Sequence, residues 1–347
     1  MMKLSVLDLI PVRSRQSTAQ ALHATTTLAQ KADSLGYTRY WVAEHHNMKA
    51  VASTNPAVLI GLLASRTQRI KVGSGGVMLP NHAPLVVAEQ FALLEAAAPG
   101  RIDLGIGRAP GSDPVVTAVL SQSGVTSDVN RFPSHVSDII ALLSDEGANV
   151  ELTSGKEYAL RSTPKADSAP PVWLLGSSDY SASLAASFGL PYVFANHFAG
   201  TGAERALDLY RTGFRPSAYA EEPVTFMTAN AVVAETADEA YAQAVPQLLQ
   251  MARLRTNKPM GALDTIEEAA ATETDALTEE FMQQSLSGYI IGDPSTAAAK
   301  ARALAGQHDV DELMISPVAG AHDADPLDSV PARERTLELL ARELLEH

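Results

Sequence analysis

The chain has 347 residues and carries 26 Lys and Arg against 40 Asp and Glu, which gives a formal net charge of −14. This acidic balance, without any Lys/Arg cluster, argues against a nucleic-acid-binding protein, because such proteins normally present a basic face. The absence of cysteine excludes disulfides, a thiolate nucleophile and a cysteine-ligated metal. No run of about 18 apolar residues and no signal-peptide pattern occurs, so the sequence predicts a cytoplasmic protein without a membrane or nucleic-acid partner.

Helical patterns recur along the whole chain. The first predicted helix begins at a capping-box pattern, Ser17 with Gln20, and ends at Gly36. The second covers Asn55–Arg66, with Pro56 at a favourable first position. The later helices that we predict after strands are Pro84–Ala97, Ser134–Leu143, Ser181–Phe188, Ala203–Arg211, Thr296–Ala305 and Ala332–Leu345.

Short apolar runs alternate with these helices and predict eight strands. The strands are Lys3–Leu9, Arg39–Ala43, Ile70–Val77, Ile102–Ile106, Val172–Leu175, Pro191–Ala195, Val224–Val233 and Glu312–Ile315. Eight strand–helix pairs indicate an α/β protein, a (β/α)8 TIM-like barrel. The loops that follow the strands of such a barrel meet on one face and build its active site, so we look for chemistry there.

Two stretches interrupt the alternation. After strand four, residues 147–171 are polar and predict a hairpin or a loop. After strand seven, residues 236–290 contain a predicted helix, Ala237–Leu254, and then a segment rich in Thr, Glu, Gly and Met. Loops of this length are usually functional lids or disordered spans. We therefore predict one domain over residues 1–347 with two insertions, the second of which includes a possible lid over 256–290.

The segment Glu44–His46 follows the second predicted strand. A histidine at this position titrates near neutrality and can donate or accept a proton. The alternatives are a structural histidine or a metal pair, but adjacent histidines rarely chelate one ion and no further ligand spacing completes a site. We take His45, with Glu44 beside it, as the catalytic candidates and predict no metal.

Glycines end the third predicted strand, in the segment Gly73–Gly76. Glycine within a strand often marks the close approach of a ligand or of another backbone. Three glycines in four residues fit a flat ring that lies against the backbone, and they equally fit a β-bulge.

The fourth predicted strand ends in Gly105–Gly111. This segment resembles a dinucleotide-binding loop, but its spacing is one residue too long and Pro110 interrupts it, so we reject that interpretation. Arg108 instead suits an anionic group, because its guanidinium is a fixed fork of donors.

The segment Gly176–Ser181 follows strand five and opens a helix. Its serines with free backbone N–H groups can form an anion site, although ordinary N-capping by Ser or Asp explains the same residues. A nucleophile elbow is excluded because the second glycine of that motif is missing. With Arg108 and Arg131 available from neighbouring strand regions, a phosphate monoester is the ligand that we expect.

Taken together, four segments resemble the bacterial luciferase-like flavin monooxygenases. They are AEHH, VGSGGVMLPNHAPLVVAEQFALLEAAAPGRIDLGIGRAPGSDP, GSSDYSASLAASFGLPYVFANHF and DELMISP. The resemblance extends over the whole chain, is most specific over residues 37–113 and 172–198, and is closest to the alkanal-monooxygenase-like branch with no assigned substrate. The order and spacing of the segments carry it, since no single motif is diagnostic.

This resemblance implies an oxidoreductase that takes reduced FMN from a separate flavin reductase and uses O2 to oxygenate a small organic substrate such as an aldehyde. His45 matches the acid/base histidine beside the flavin, and Gly75–Gly76 match a non-prolyl cis peptide next to the flavin ring. The phosphate-binding positions of the family are matched by Arg108, Arg131, Ser178 and Ser181.

Other positions depart from the family pattern. Ser177 replaces an acidic residue of luciferase and Gly107 replaces its reactive cysteine, which argues against light emission and leaves oxygenation intact. His197, after strand six, is placed by the resemblance near the ring or the substrate. We therefore expect Gly75, Gly76, Gly176 and Ser177, with the phosphate-binding residues named above, to contact the cofactor.

Three other functions stay open. A deazaflavin-dependent enzyme that transfers hydride shares much of this frame, and a non-catalytic flavin-binding protein shares the fold. A phosphate-ester lyase or isomerase would need a Lys or Glu base at a strand end, where Glu44 is available but no Lys occurs.

The second and third helices contain the apolar stretches AVLIGLLAS and VVAEQFALLEAAA. Burial against the barrel alone explains them, and so does a subunit interface, which the family also uses. We predict a homodimer.

Overall fold

The strands of the protein were assigned in a computed structural model, which describes residues 2–109, 114–121, 129–199 and 202–345. They are β1 (Lys3–Asp8), β2 (Arg39–Val42), β3 (Lys71–Ser74), β4 (Val77–Met78), β5 (Ile102–Gly107), β6 (Ala148–Glu151), β7 (Glu157–Leu160), β8 (Val172–Gly176), β9 (Tyr192–Phe194), β10 (Thr225–Val233), β11 (Ile290–Gly292) and β12 (Glu312–Pro317).

Helices follow most of the barrel strands. They are α1 (Thr18–Ser34), α2 (Pro56–Ala64), α3 (Pro84–Ala97), α4 (Pro114–Ser121), α5 (Phe132–Leu143), α6 (Asp179–Phe188), α7 (Asn196–Ala199), α8 (Ala203–Gly213), α9 (Ala237–Arg255), α10 (Ile266–Ala270), α11 (Ala276–Ser287), α12 (Pro294–His308) and α13 (Pro331–Leu344). The predicted capping box at Ser17 is present, and Asn55 caps α2 as expected from its position before Pro56.

Eight parallel strands close into a barrel in the order β1-β2-β3-β5-β8-β9-β10-β12, and β12 pairs back onto β1. The first and last strands meet in register, with Lys3 opposite Glu312 and Val6 opposite Ile315. The predicted TIM-like (β/α)8 barrel is therefore confirmed. None of the helices in the described ranges is long and apolar enough to cross a membrane.

Aromatic side chains fill the interior of the barrel. Trp41, Trp173 and Phe226 are almost fully buried and pack together, with Trp173 and Phe226 ring centroids 5.1 Å apart. The guanidinium of Arg39 lies 4.7 Å from the Trp173 ring and forms ion pairs with Asp103 at 2.9 Å and with Glu312 at 2.7 Å. A buried charge needs such partners, and these ion pairs join β2 to β5 and β12 inside the barrel.

The third predicted strand, Ile70–Val77, is wrong in its extent. The structure divides it into β3 and β4, with Gly75–Gly76 between them in a cis peptide. β3 and β4 both pair with β5, so the chain stays beside the same neighbour across the break. The prediction of Ser181–Phe188 also starts too late, because α6 begins at Asp179.

The two interrupting stretches have their own secondary structure. Residues 147–171 contain the antiparallel hairpin β6–β7. The stretch 236–290 holds α9, α10 and α11, and the strand β11, which the sequence did not predict, adds to β10 in parallel. The second stretch is tied to the barrel rim, since the Leu263 N–H donates to Val12 O and the Ile266 N–H donates to Ala321 O.

Candidate active site

The predicted site residues lie at the carboxyl ends of five neighbouring barrel strands. Glu44–His46 follow β2, Gly75–Gly76 follow β3, Arg108 follows β5, Ser177 follows β8 and His197 follows β9. Because all barrel strands are parallel, these ends meet on one face. The geometry thus groups residues that are far apart in the sequence.

Glu44 is completely buried and each of its carboxylate oxygens has a partner. The Nε2 atoms of His46 and His82 both lie 2.8 Å from Oε1, and the Met78 N–H donates to Oε2 at 2.9 Å. Burial on its own raises the pKa of Glu44, but these hydrogen bonds outweigh it and lower the pKa to about 2. Glu44 is therefore an ionised anchor that joins the loop after β2 to the strand after the cis peptide.

His45 is not one of the residues that hydrogen-bond the Glu44 carboxylate. Its backbone N–H donates to Ser53 O at 2.9 Å, which fixes the loop, whereas its buried Nδ1 makes no hydrogen bond within the described residues. Burial lowers the pKa of His45 below its ordinary value, although the Glu44 carboxylate opposes the shift. At neutral pH the imidazole is neutral, and its Nδ1 is enclosed by protein without a partner among the described residues.

His197 is the second histidine of the face. Its Nδ1 lies 2.5 Å from the Thr228 hydroxyl, and its carbonyl accepts from the Asn230 amide at 3.2 Å. Burial lowers the pKa of His197 to about 3, and the neighbouring His45 lowers it further. The Phe198 ring centroid lies 4.2 Å from that of His197 and 6.2 Å from that of His45, so one aromatic side chain neighbours both histidines.

The peptide between Gly75 and Gly76 is cis, as the resemblance implied. A Cβ atom at Gly76 would lie 2.9 Å from Gly105 O and 3.1 Å from Gly107 N, and one at Gly75 would meet the Leu7 side chain. Close approach of another backbone therefore already requires glycine at position 76. The structure thus provides a reason for these glycines that is independent of any ligand.

The N-terminus of α6 has backbone donors that its own cap leaves free. Ser178 occupies the cap position without a capping hydrogen bond, and its hydroxyl lies 3.1 Å from the Ser181 hydroxyl. The Arg108 guanidinium lies 4.2 Å from the ring of Tyr180 in the first turn. Ordinary N-capping by Ser178 is therefore absent, and a cation stands beside the uncapped end, as an anion site requires.

The remaining predicted positions are Arg131, the segment at Pro110 and Gly111, and Gly176. Arg131 is exposed at the start of α5, and no hydrogen bond or ion pair among the described residues joins it to Arg108 or Ser178. Pro110 and Gly111, which ended the glycine-rich segment, lie outside the described residues. Gly176 lies at the end of β8, where a Cβ would collide with the Ser181 hydroxyl, so its role here is to make room for Ser181.

Two cavities open beside the histidines. One, of about 440 Å³, lies between the loop after β2 and α9, and His45 and Phe198 line it. The other, of about 420 Å³, lies between α7 and α11, and His197 and Phe198 line it. Both have the size of small-molecule sites. No cluster of three or more His, Asp or Glu suited to a metal ion occurs among the residues that the structure describes.

Sequence reasoning missed His82 and Phe198. His82 was visible in the stretch VMLPNHAP, but its contact with Glu44 spans 38 positions and no local spacing indicates it. Phe198 follows His197 directly, and only the fold shows that it also reaches His45.

A barrel with a buried histidine, an uncapped helix N-terminus beside an arginine and two cavities at one face has the design of an enzyme of the TIM-barrel class. The chain belongs to the luciferase-like monooxygenase family, whose model matches residues 2–308. It is accordingly an oxidoreductase, a luciferase-like monooxygenase.

Three known proteins are similar to this chain in sequence or in fold. A luciferase-like monooxygenase of Escherichia coli strain K12 is 37% identical over 324 residues, 92% of each chain. The structure of apo-MsnO8 is 32% identical, with a TM-score of 0.84 and coverage of 99% of this chain and 98% of that one. The oxygenating constituent of 3,6-diketocamphane monooxygenase from Pseudomonas putida, in complex with FMN, is 18% identical with a TM-score of 0.70, over 99% and 98% of the chains, and shows the shared fold alone.

Proposed function

We propose that the protein is a two-component monooxygenase that receives reduced FMN from a separate flavin reductase and oxygenates a small organic substrate with O2. The observation that carries this proposal is the pairing of an uncapped helix N-terminus beside Arg108 with an unpartnered His45 nitrogen on the same barrel face. We further propose a cytoplasmic location, where a flavin reductase would supply the cofactor.

The phosphate of the cofactor fits the α6 end of the site. Backbone N–H groups at a helix N-terminus and a guanidinium together bind a dianion by charge-assisted hydrogen bonds. The hydroxyls of Ser178 and Ser181 lie 3.1 Å apart at this end and can donate to the same group. Ser177 and Gly176 form the turn that presents them, and Arg131 stays a predicted contact.

The cofactor ring fits between the cis peptide and His45. The Gly75–Gly76 cis peptide follows β3 on the barrel face that His45 shares, so we place the flat ring against this backbone. The cofactor, when bound, supplies two electrons, so that one atom of O2 enters the substrate and the other leaves as water. His45 moves a proton at its imidazole ring, Glu44 orients the adjoining loops, and Phe198 with the α9 wall excludes water.

A titration under anaerobic conditions tests the proposal. Reduced FMN should bind the purified protein, and subsequent mixing with O2 should reoxidise the flavin while a substrate panel is screened for incorporated oxygen. A deazaflavin coenzyme is titrated in parallel, because its phosphate and ring would fit the same cradle. Binding of the deazaflavin alone would replace the proposal by the hydride-transfer alternative, and FMN binding without oxygenation of any substrate would indicate a flavin-binding protein.

Arg108→Ala should weaken the binding of reduced FMN about tenfold, because one charge-assisted contact to the phosphate is lost. Arg66→Ala is the matched control, since Arg66 is exposed and follows α2 at the opposite end of the barrel. Dissociation constants are measured anaerobically, and riboflavin, which lacks the phosphate, should bind both variants equally. An equal loss for riboflavin would show that Arg108 does not act on the phosphate.

We also propose that the protein forms a homodimer through α2 and α3. These helices pack together and expose Val58, Val86 and Leu93, which are 69%, 46% and 56% accessible. Apolar side chains grouped on adjacent helices often mark an interface.

Leu93→Lys should convert a dimer into a monomer at micromolar concentration, because a charged side chain would be buried in the interface. Leu277→Lys is the control, since Leu277 is 52% accessible but lies on α11. The molar mass from light scattering decides the matter: a wild-type monomer, or a Leu93→Lys dimer, contradicts the proposal.

A further inference from the structure

The cavity of about 420 Å³ between α7 and α11 has one charged side chain in its described lining. This side chain is Arg255, in the last turn of α9, and no Asp or Glu of the described residues lines the cavity. His197 also belongs to the lining, but it is neutral because burial lowers its pKa to about 3. Asn196 contributes an amide, whereas Phe198 and Met251 contribute apolar surface. The described lining therefore carries a positive charge and no negative one.

The guanidinium of Arg255 lies at this cavity and forms no ion pair among the described residues. Its Nη2 donates a long hydrogen bond to Phe198 O, at 3.4 Å, which places it beside the lining. Burial raises the pKa of the Tyr289 hydroxyl, another group of the lining, and the charge of Arg255 opposes that rise because it lies nearby. By contrast, Arg253 on the same helix is paired with Asp264 at 2.7 Å. Most of the donors of Arg255 are thus left for a ligand.

We propose that this cavity binds a carboxylate of the substrate and that Arg255 is the specificity-determining residue that recognises it. A guanidinium donates two parallel hydrogen bonds to a carboxylate, and such a charge-assisted pair is stronger than a bond between neutral groups. The amide of Asn196 in the same lining can add a further donor. A phosphate dianion would leave one of its charges without a partner in the described lining, so the carboxylate is the better match. The inference rests on the proposed function, because it names the substrate class of the same site.

The rest of such a substrate fits the cavity of about 440 Å³ beside His45. Phe198 and Met251 belong to the linings of both cavities, so the two cavities adjoin. The second cavity is lined mainly by apolar side chains of the loop after β2 and of α9, without any Asp, Glu, Lys or Arg among the described residues. An ion there would lose its hydration without gaining a partner, whereas a hydrocarbon chain loses nothing. The two cavities together therefore select an amphipathic acid, with its carboxylate at Arg255 and its chain towards His45.

Two probes of equal size test the proposal. Octanoate and octanamide have the same number of non-hydrogen atoms, but only octanoate is charged. Calorimetric titration at pH 8 in low salt, with and without oxidised FMN, should show octanoate binding about tenfold more tightly than octanamide. Raising NaCl from roughly 20 mM to roughly 500 mM should reduce this preference, because Arg255 is exposed and salt screens its charge. Equal affinities, no binding of octanoate in either condition, or a preference that salt leaves unchanged overturns the inference.

Three variants locate the binding. Arg255→Gln should make octanoate bind as weakly as octanamide and leave the melting temperature nearly unchanged, because Arg255 is exposed. Arg66→Gln, the same change at an exposed position after α2, should keep the wild-type preference. Gln284→Trp, at an exposed position in the lining, should fill the cavity and weaken the binding of octanoate. Wild-type affinity for octanoate in Arg255→Gln or in Gln284→Trp contradicts the assignment.

The affinity for the cofactor separates this inference from the proposed function. Arg255→Gln should bind reduced FMN as tightly as the wild type, whereas Arg108→Ala should keep the preference for octanoate. Loss of FMN affinity in Arg255→Gln would show that Arg255 binds the cofactor and would overturn the inference. Octanoate binding that depends on Arg255, in a protein that does not bind FMN, would support the inference and reject the proposed function. FMN-dependent oxygenation without a preference for octanoate would do the reverse.

Discussion

His45→Ala should lower the formation of oxygenated product about 100-fold or more and release nearly all of the consumed O2 as hydrogen peroxide. A positioned acid or base contributes roughly 100-fold to 10,000-fold to a reaction, and His45 is the histidine of this face whose Nδ1 has no partner within the described residues. The measurement is product and peroxide formed per reduced FMN consumed. Anaerobic binding of reduced FMN should change little, because the phosphate cradle lies after β5 and β8.

The control for this variant is His23→Ala, at an exposed histidine of α1. It should keep the wild-type yield of product. The pH profile adds a second check: because burial lowers the pKa of His45, the neutral imidazole persists below pH 6.5, and activity that needs it should fall only in more acidic solution. If His45→Ala kept the wild-type yield of product, His45 would not be a catalytic residue.

Much of the barrel could be predicted from the sequence because its signals are local. Buried parallel strands are continuous apolar runs, and capping residues such as Ser17 and Asn55 mark where helices begin. The predicted strands end just before Glu44–His46 and Gly176–Ser181. Because all barrel strands are parallel, this placed both segments on the same face of the barrel. The short strand β11 was missed because three residues carry too little periodicity.

The partners of these residues were not predictable, because contacts between strand ends depend on the closed barrel. The glycines of β3 allowed a ligand ring or a bulge, and only the fold shows that Gly76 passes close to the backbone at Gly105. In the same way, Ser178 has the residue type of a helix cap, but its side chain does not cap. The residue types predicted which segments form the candidate site. Which of their polar atoms lack a partner depends on the packing of the folded barrel.

Glu44→Gln should lower the free energy of unfolding by about 3 kcal/mol at pH 7, and the loss should disappear in acid. The carboxyl has an ordinary pKa near 4.5 in the unfolded chain and a pKa of about 2 in the folded protein, and each unit is worth about 1.36 kcal/mol. A lowered pKa stabilises the folded state above the unfolded value. This stabilisation is fully present above pH 4.5 and declines as the pH falls towards 2.

Urea unfolding between pH 3 and pH 8 measures this difference. The difference between the wild type and Glu44→Gln should be largest above pH 5 and shrink to about half by pH 3. Glu222→Gln, at an exposed position, should match the wild type throughout. A difference that stays constant with pH would show that the amide disturbs packing and that ionisation contributes nothing. A difference that shrinks in acid would instead establish that one buried charge holds His46, His82 and the Met78 backbone together, and so joins the end of β2 to the segment that follows the cis peptide.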